Sequence, residues 1–283
     1  MPVEHTLPFN RNLLITTPKA IHLRAPTSNK TVFECESADG IVNASAAPDN
    51  SSLLAIADGH GVILLDTAHP RVRSHELKGS TDVPRLLLFA PDSQTLFFNT
   101  ALNNSIQAYS LANGDLLPSS HPHPSPPSVL AISGDGGVLL SASSAPPIVL
   151  IQDRRWAGIA AVHFKPRETP SVVTCAAFEA LPGVADPSSI RFVLGFKDGT
   201  LALYRVILGP FGQDQFPLAD AQSSHYRLRT VSLGAMSKLH KAAMGGVTAA
   251  AFISGYTSRV VSIGHDGRCR LVDLERGGQK LRT

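Results

Sequence analysis

Three cysteines, one tryptophan, few aromatics and no apolar run long enough to cross a bilayer are what this 283-residue chain has little of. Each shortage excludes something. Cys35, Cys175 and Cys269 are odd in number and far apart, which argues against a disulfide framework and for a reducing intracellular compartment, cytoplasmic or nuclear. Such thiols are expected to pack as small apolar groups. No stretch approaches the ~18 apolar residues of a membrane-spanning helix, and Met1 to His5 lacks the basic-then-apolar order of a secretory leader. Charged residues make up 17% and hydrophobic ones 43%, too apolar a balance for wholesale disorder. Also missing are a Gly-x-Ser-x-Gly elbow, a Walker A loop and a His-Glu-x-x-His helix, so no enzyme, cofactor or metal is expected.

What is present is a repeat. Six times a strand-like apolar run, a polar turn and a second apolar run recur, most clearly at Leu53–Asp66, Phe192–Arg205 and Val260–Asp273. Further copies run from Leu86 to Ser110 and from Val129 to Gln152, and a partial one lies in Leu13 to Thr16 and Ala20 to Leu23. A unit of a few short strands cannot bury its own faces, so the copies must stack. The turns carry the mechanism: Asp-Gly pairs at Asp58, Asp198 and Asp266 supply the positive φ angles of tight hairpins. The runs are nearly continuous Val, Ile, Leu and Ala, as expected of strands buried on both faces. Spacings of 42 to 46 residues between Ile41, Val83, Val129 and Val172 match four-stranded propeller blades, which repeat every ~40–45 residues. The predicted fold is therefore all-β, a β-propeller of four-stranded antiparallel blades forming a single domain over 1–283.

Val261 to Asp273, with its Ser262, Asp266 and the closing Val272-Asp273, resembles the core of a WD40 repeat. Leu65-Asp66 and Tyr204-Arg205 occupy the place of the same closing pair. No Trp-Asp dipeptide occurs, and the one tryptophan is Trp156. In WD40 repeats a His before the blade, a strand Ser, a turn Asp and the Trp form a hydrogen-bonded set. The resemblance thus gives Ser262 and Asp266 structural roles, makes His240 the candidate histidine and puts Val272 where the Trp would stand; Asp198, Asp58, Asp273 and Asp66 are the matching blade positions. The C-terminal half, over Val172–Phe178, Leu194–Leu201 and Ser258–Gly267, is similar to a group of divergent fungal WD40-repeat proteins, a similarity that brings no activity with it. In that group a further blade follows the stretch that here reaches Thr283, which leaves two expectations open: a six-bladed ring, or a truncated ring one short of seven.

Two segments break the period. Residues 117–127 are Pro-rich and read as a solvated, PPII-like connector, His121 and His123 included. Between Ile207 and Gly246 the reading places an insertion at 209–224, a strand from Tyr226 to Leu233 and a short helix from Ala235 to Met244. Phe211 and Phe216 in that insertion are candidate partner contacts, since recognition residues concentrate on loops of rigid scaffolds. Charge supplies others. From Tyr226 to Thr283 there are ten Lys and Arg against three acidic residues, and Arg227, Arg229, Arg268 and Arg270 would line a basic face. Without interleaved aromatics nucleic acid ranks low as a partner. The sequence favours a non-catalytic scaffold that binds other proteins and no membrane. Its alternatives are a six-bladed propeller hydrolase with a central metal and a basic docking module for acidic proteins or nucleic acid.

Overall fold

A computed structural model describes residues 13–25, 28–48, 52–68, 73–76, 84–100, 104–117, 121–155, 161–179, 189–208, 228–275 and 278–282. Within them the chain is all-β, and its strands form six antiparallel sheets in sequence order. The first sheet has three strands, β1 (Leu13–Thr16), β2 (Ala20–Ala25) and β3 (Ser28–Glu34). The second joins β4 (Asn43–Ala46), β5 (Leu53–Ala57), β6 (Val62–Asp66) and β7 (Arg73–Glu76). The third joins β8 (Pro84–Phe89), β9 (Thr95–Thr100), β10 (Gln107–Ser110) and β11 (Asp115–Leu117). The fourth is β12 (Pro127–Ile132), β13 (Val138–Ser144), β14 (Pro147–Asp153) and β15 (Val162–Phe164). The fifth is β16 (Val173–Phe178), β17 (Ser189–Phe196), β18 (Leu201–Ile207) and β19 (Arg229–Met236). The sixth is β20 (Val247–Phe252), β21 (Arg259–Gly264), β22 (Cys269–Asp273) and β23 (Gln279–Arg282).

Consecutive sheets meet along their first strands: β4 lies against β8, β8 against β12, β12 against β16 and β16 against β20. Five apolar clusters fill the five boundaries between successive sheets. In the cluster joining the fourth and fifth sheets, Phe192 stacks on Tyr204 at 5.2 Å and Phe164 meets both edge-on. Among the described residues no such cluster joins the sixth sheet to the first. Continuous apolar runs such as Phe192 to Phe196, buried throughout, are thus explained by a sheet on either side.

The same irregularity recurs in four first strands. Register shifts fall between Pro84 and Leu86, Pro127 and Val129, Val173 and Cys175, and Val247 and Ala249. Each inserts one residue, bends the strand and turns a backbone carbonyl away from its ladder. Two of these carbonyls are taken by the preceding sheet: Asn99 Nδ2 donates to Pro127 O at 3.1 Å, and the Thr174 hydroxyl donates to Val247 O. Thr174→Val keeps shape and removes this rung, so it is expected to cost about 1 kcal/mol of unfolding free energy. Urea titration checks this; an unchanged midpoint contradicts it.

The segment from Ala235 to Met244 differs from the expected helix. β19 runs on to Met236, and only a one-turn 3-10 helix forms at Ala242–Met244. Its physical cause is the partner strand: Ala202 and Leu201 of β18 extend the ladder to Ala235 and Met236. The strand expected from Tyr226 is seen from Arg229. The insertion at 209–224, with Phe211, Phe216 and also Arg227, lies outside the described residues.

Candidate functional site

A buried, hydrogen-bonded polar group lies at the boundary of the fifth and sixth sheets. His240 sits on the connector entering the sixth sheet, Ser262 on β21 and Asp266 in the β21–β22 turn. The imidazole Nε2 is 2.9 Å from Ser262 Oγ and Nδ1 is 3.0 Å from Asp266 Oδ1. A carboxylate only accepts, so Nδ1 carries the proton and Nε2 accepts from the Ser262 hydroxyl. Side-chain exposure of His240 and Asp266 is 0% and 1%, and Ser262 is fully buried. Asp266 also receives the Arg268 and Lys241 backbone N–H groups at 3.2 and 3.4 Å. The His240 hydrogen bond, then these amides, hold its carboxyl down at about 2 despite burial. Its stabilising contribution is present above the ordinary carboxylate range and is lost as pH falls toward 2.

Glycine makes room for the imidazole. A Cβ on Gly264 would stand 2.2 Å from His240 Nδ1. No fourth polar member joins the group at the position where a Trp was expected, because Val272 there is a fully buried aliphatic side chain. Its register equivalent in the fifth sheet is Tyr204, whose hydroxyl donates to Glu168. Burial and then that carboxylate push the Tyr204 phenol far above its usual range.

Reduced versions of the group stand at two earlier boundaries. In the fifth sheet Thr169 takes the histidine's place, its hydroxyl donating to Asp198 Oδ2 at 2.7 Å, while Asp198 Oδ1 caps the Thr200 N–H at 2.9 Å. In the fourth, His123 Nε2 is 2.8 Å from Ser141 Oγ, and Ser141 occupies the register position of Ser262. Both His123 and Thr169 lie four residues before the first residue of the first strand of a sheet. The β13–β14 turn is Ala145-Pro146, with no acid, and His123 Nδ1 has no partner among the described residues.

No family model matches the chain, and no curated protein matches it.

His123 corrects the solvated reading of the Pro-rich connector. It is only 3% exposed, drawn in by Ser141 and by a backbone bond from its own N–H to Asn104 O at 2.7 Å. Burial, then repulsion from His163, lowers its pKa from 6.5 to about 4. The folded form thus refuses a proton that the unfolded chain accepts below pH 6.5. Stability is expected to fall between pH 6.5 and 4 by about 2–3 kcal/mol from this group. His123→Gln should lack that part of the slope in denaturation curves taken across the window; parallel slopes contradict it.

The remaining positions divide. Asp58 caps its own turn, accepting from the His60 and Gly61 N–H groups at 2.8 and 2.9 Å. Asp66 caps Ala68 N–H at 2.9 Å, and Asp273 receives the Ser258 hydroxyl at 2.8 Å. Asp198 and Asp266 share one geometry. Asp58 sits in the same hairpin turn of its own sheet.

The expected basic face needs correction at Arg270. Its register partner Ser262 faces the fifth sheet, so Arg270 does too. It is 9% exposed, donates to Leu239 O and lies 3.6 Å from Asp266. Arg268 and Arg229 are exposed. Cys269 is likewise exposed, against the expectation of packed thiols, whereas Cys175 is buried enough to push its thiol up to about 11. Among the described residues no group of three His, Cys, Asp or Glu side chains is arranged to hold a metal ion.

Proposed function

We propose that the six sheets are blades of a WD40-like β-propeller, arranged with β4, β8, β12, β16 and β20 toward its axis, and that the chain is an intracellular scaffold for other proteins. The observation that carries this reading is the His240–Ser262–Asp266 group. Its hydrogen-bond order, serine to histidine to aspartate, is that of a hydrolytic triad. A triad serine must meet a carbonyl, however, and Ser262 is fully enclosed between two sheets. What the group does in this position is tie a connector, an inner hairpin and a turn into one rigid corner. A rigid corner repeated in weaker form at Thr169 and His123 suits a platform whose recognition residues lie on its surface.

The reading assigns no chemical step to the chain. Affinity capture with the folded full chain, followed by mass spectrometry, tests it. Proteins recovered in near-stoichiometric amount by the native chain, and not by the same chain after thermal unfolding, are the expected result. Recovery of nothing above background overturns the scaffold reading. A stoichiometric divalent ion together with ester or phosphoester turnover would instead favour the hydrolase.

A further inference from the structure

The two ends of the fifth and sixth sheets treat charge differently. At the end where β17 and β21 begin, Arg191 pairs with Glu275 and Arg259 lies 3.8 Å from Asp273. The other end is formed by the 165–172 and 237–246 connectors and by the β17–β18 and β21–β22 turns, and its carboxylates are turned inward. Glu168 accepts from the Tyr204 and Ser232 hydroxyls, Asp198 from Thr169 and Asp266 from His240. The cations are left facing water: Lys165, Arg167, Lys197, Lys238, Lys241 and Arg268 are exposed, and none has an ion pair among the described residues. The connectors and turns that carry them are tied together. Lys241 and Arg268 give their backbone N–H groups to the one Asp266 carboxylate, and the β17–β18 turn takes the His240 N–H on Gly199 O at 3.2 Å. Thr169 of the preceding connector holds the same turn through Asp198. Beside Lys241, whose carbonyl accepts its N–H at 3.1 Å, Met244 is 51% exposed.

We infer that this end of the fifth and sixth sheets docks an Asp- and Glu-rich segment of a partner protein, with an apolar residue of that segment on Met244. The inference rests on the scaffold reading and names its surface. Like charges held on a rigid corner create a potential that draws in and orients an anionic partner. Two observations choose which. No exposed Phe, Tyr or Trp stands at this end among the described residues, as the stacking of single-stranded nucleic acid would need. Met244, flexible and polarizable, suits an apolar side chain, which a phosphate backbone does not offer. The chain's own acids are poorly placed to fill the site. The segments of these two sheets outside the described residues, 180–188, 209–227 and 276–277, all join strands at the opposite end.

A labelled peptide of Glu residues flanking one Leu, titrated with the full chain by fluorescence anisotropy, tests this. Binding is expected to weaken with salt, to fall at least about tenfold in Lys197→Glu/Lys241→Glu, to fall less in Met244→Ser, and to stay unchanged in Lys30→Glu on the first sheet. Zero-length carbodiimide coupling should join the peptide to Lys197, Lys238 or Lys241. Coupling of those lysines only to the chain's own carboxylates overturns the inference, as does equal loss in Lys30→Glu or equally tight binding of an oligothymidylate of the same charge. Affinity capture separates this surface from the reading beneath it. If wild type and Lys197→Glu/Lys241→Glu, equally folded by circular dichroism, recover the same proteins equally, this end falls and the scaffold reading stands. If neither recovers any, the scaffold reading falls and the inference with it.

Discussion

Replacing His240 with alanine is expected to lower the unfolding free energy by roughly 3–4 kcal/mol, the range seen when one member of a buried, hydrogen-bonded polar group is removed. The imidazole is the hub: it accepts from Ser262 and donates to Asp266. Without it a hydroxyl and a carboxylate remain at the boundary of the fifth and sixth sheets with no solvent to replace the lost bonds. Gly264, kept clear for the ring, then faces a cavity. Ser262→Ala removes only one neutral bond and should cost about 1 kcal/mol. Comparing the two by guanidinium denaturation checks the ranking. Equal, small losses would mean that the corner is not a cooperative unit.

A second large effect is expected at Gly199. Its φ is +85°, a region where a side chain is strained by about 1–2 kcal/mol. The nearer obstacle is backbone: a Cβ would lie 1.8 Å from His240 O, and the Gly199 carbonyl itself accepts the His240 N–H at 3.2 Å. Main chain cannot rotate aside as a side-chain tip can. Gly199→Ala should therefore cost roughly 4 kcal/mol or prevent folding. Gly267→Ala makes the internal comparison, because φ is +71° there and nothing lies within 4 Å. It should cost about 1 kcal/mol, the backbone strain alone. Thermal melts of the two variants side by side distinguish them. Equal losses would mean that the connector does not press on the fifth-sheet turn.

Much of this architecture is legible in the sequence because turns and apolar runs are local signals. The hairpins at Lys197-Asp198-Gly199 and His265-Asp266-Gly267 stand where Asp-Gly pairs place them, with Gly199 and Gly267 at positive φ. Apart from β19, expected from Tyr226 to Leu233 and found at Arg229–Met236, the outermost strands were not legible. β7 reads Arg-Ser-His-Glu, and β11 is three exposed residues, since an edge strand exposed to water carries no alternation and resists pairing through polarity. Arg270 was misjudged for a different reason. Strand periodicity gives the side on which a residue stands but not whether another sheet covers it, and here Asp266 and Leu239 O compensate the buried charge. His123 was hidden by composition: five prolines around it suggest solvent, while its burial depends on Ser141, eighteen residues away.

The central claim is that the six sheets curl about one axis. The distance between spin labels at positions 15 and 263, on the first and sixth sheets, measured by pulsed electron paramagnetic resonance, tests it most directly. Sheets pack about 10 Å apart, so a straight row of six separates its ends by about 50 Å. A propeller returns the sixth sheet toward the first, and the expected distance is below about 30 Å. A single distribution near 50 Å would contradict the account.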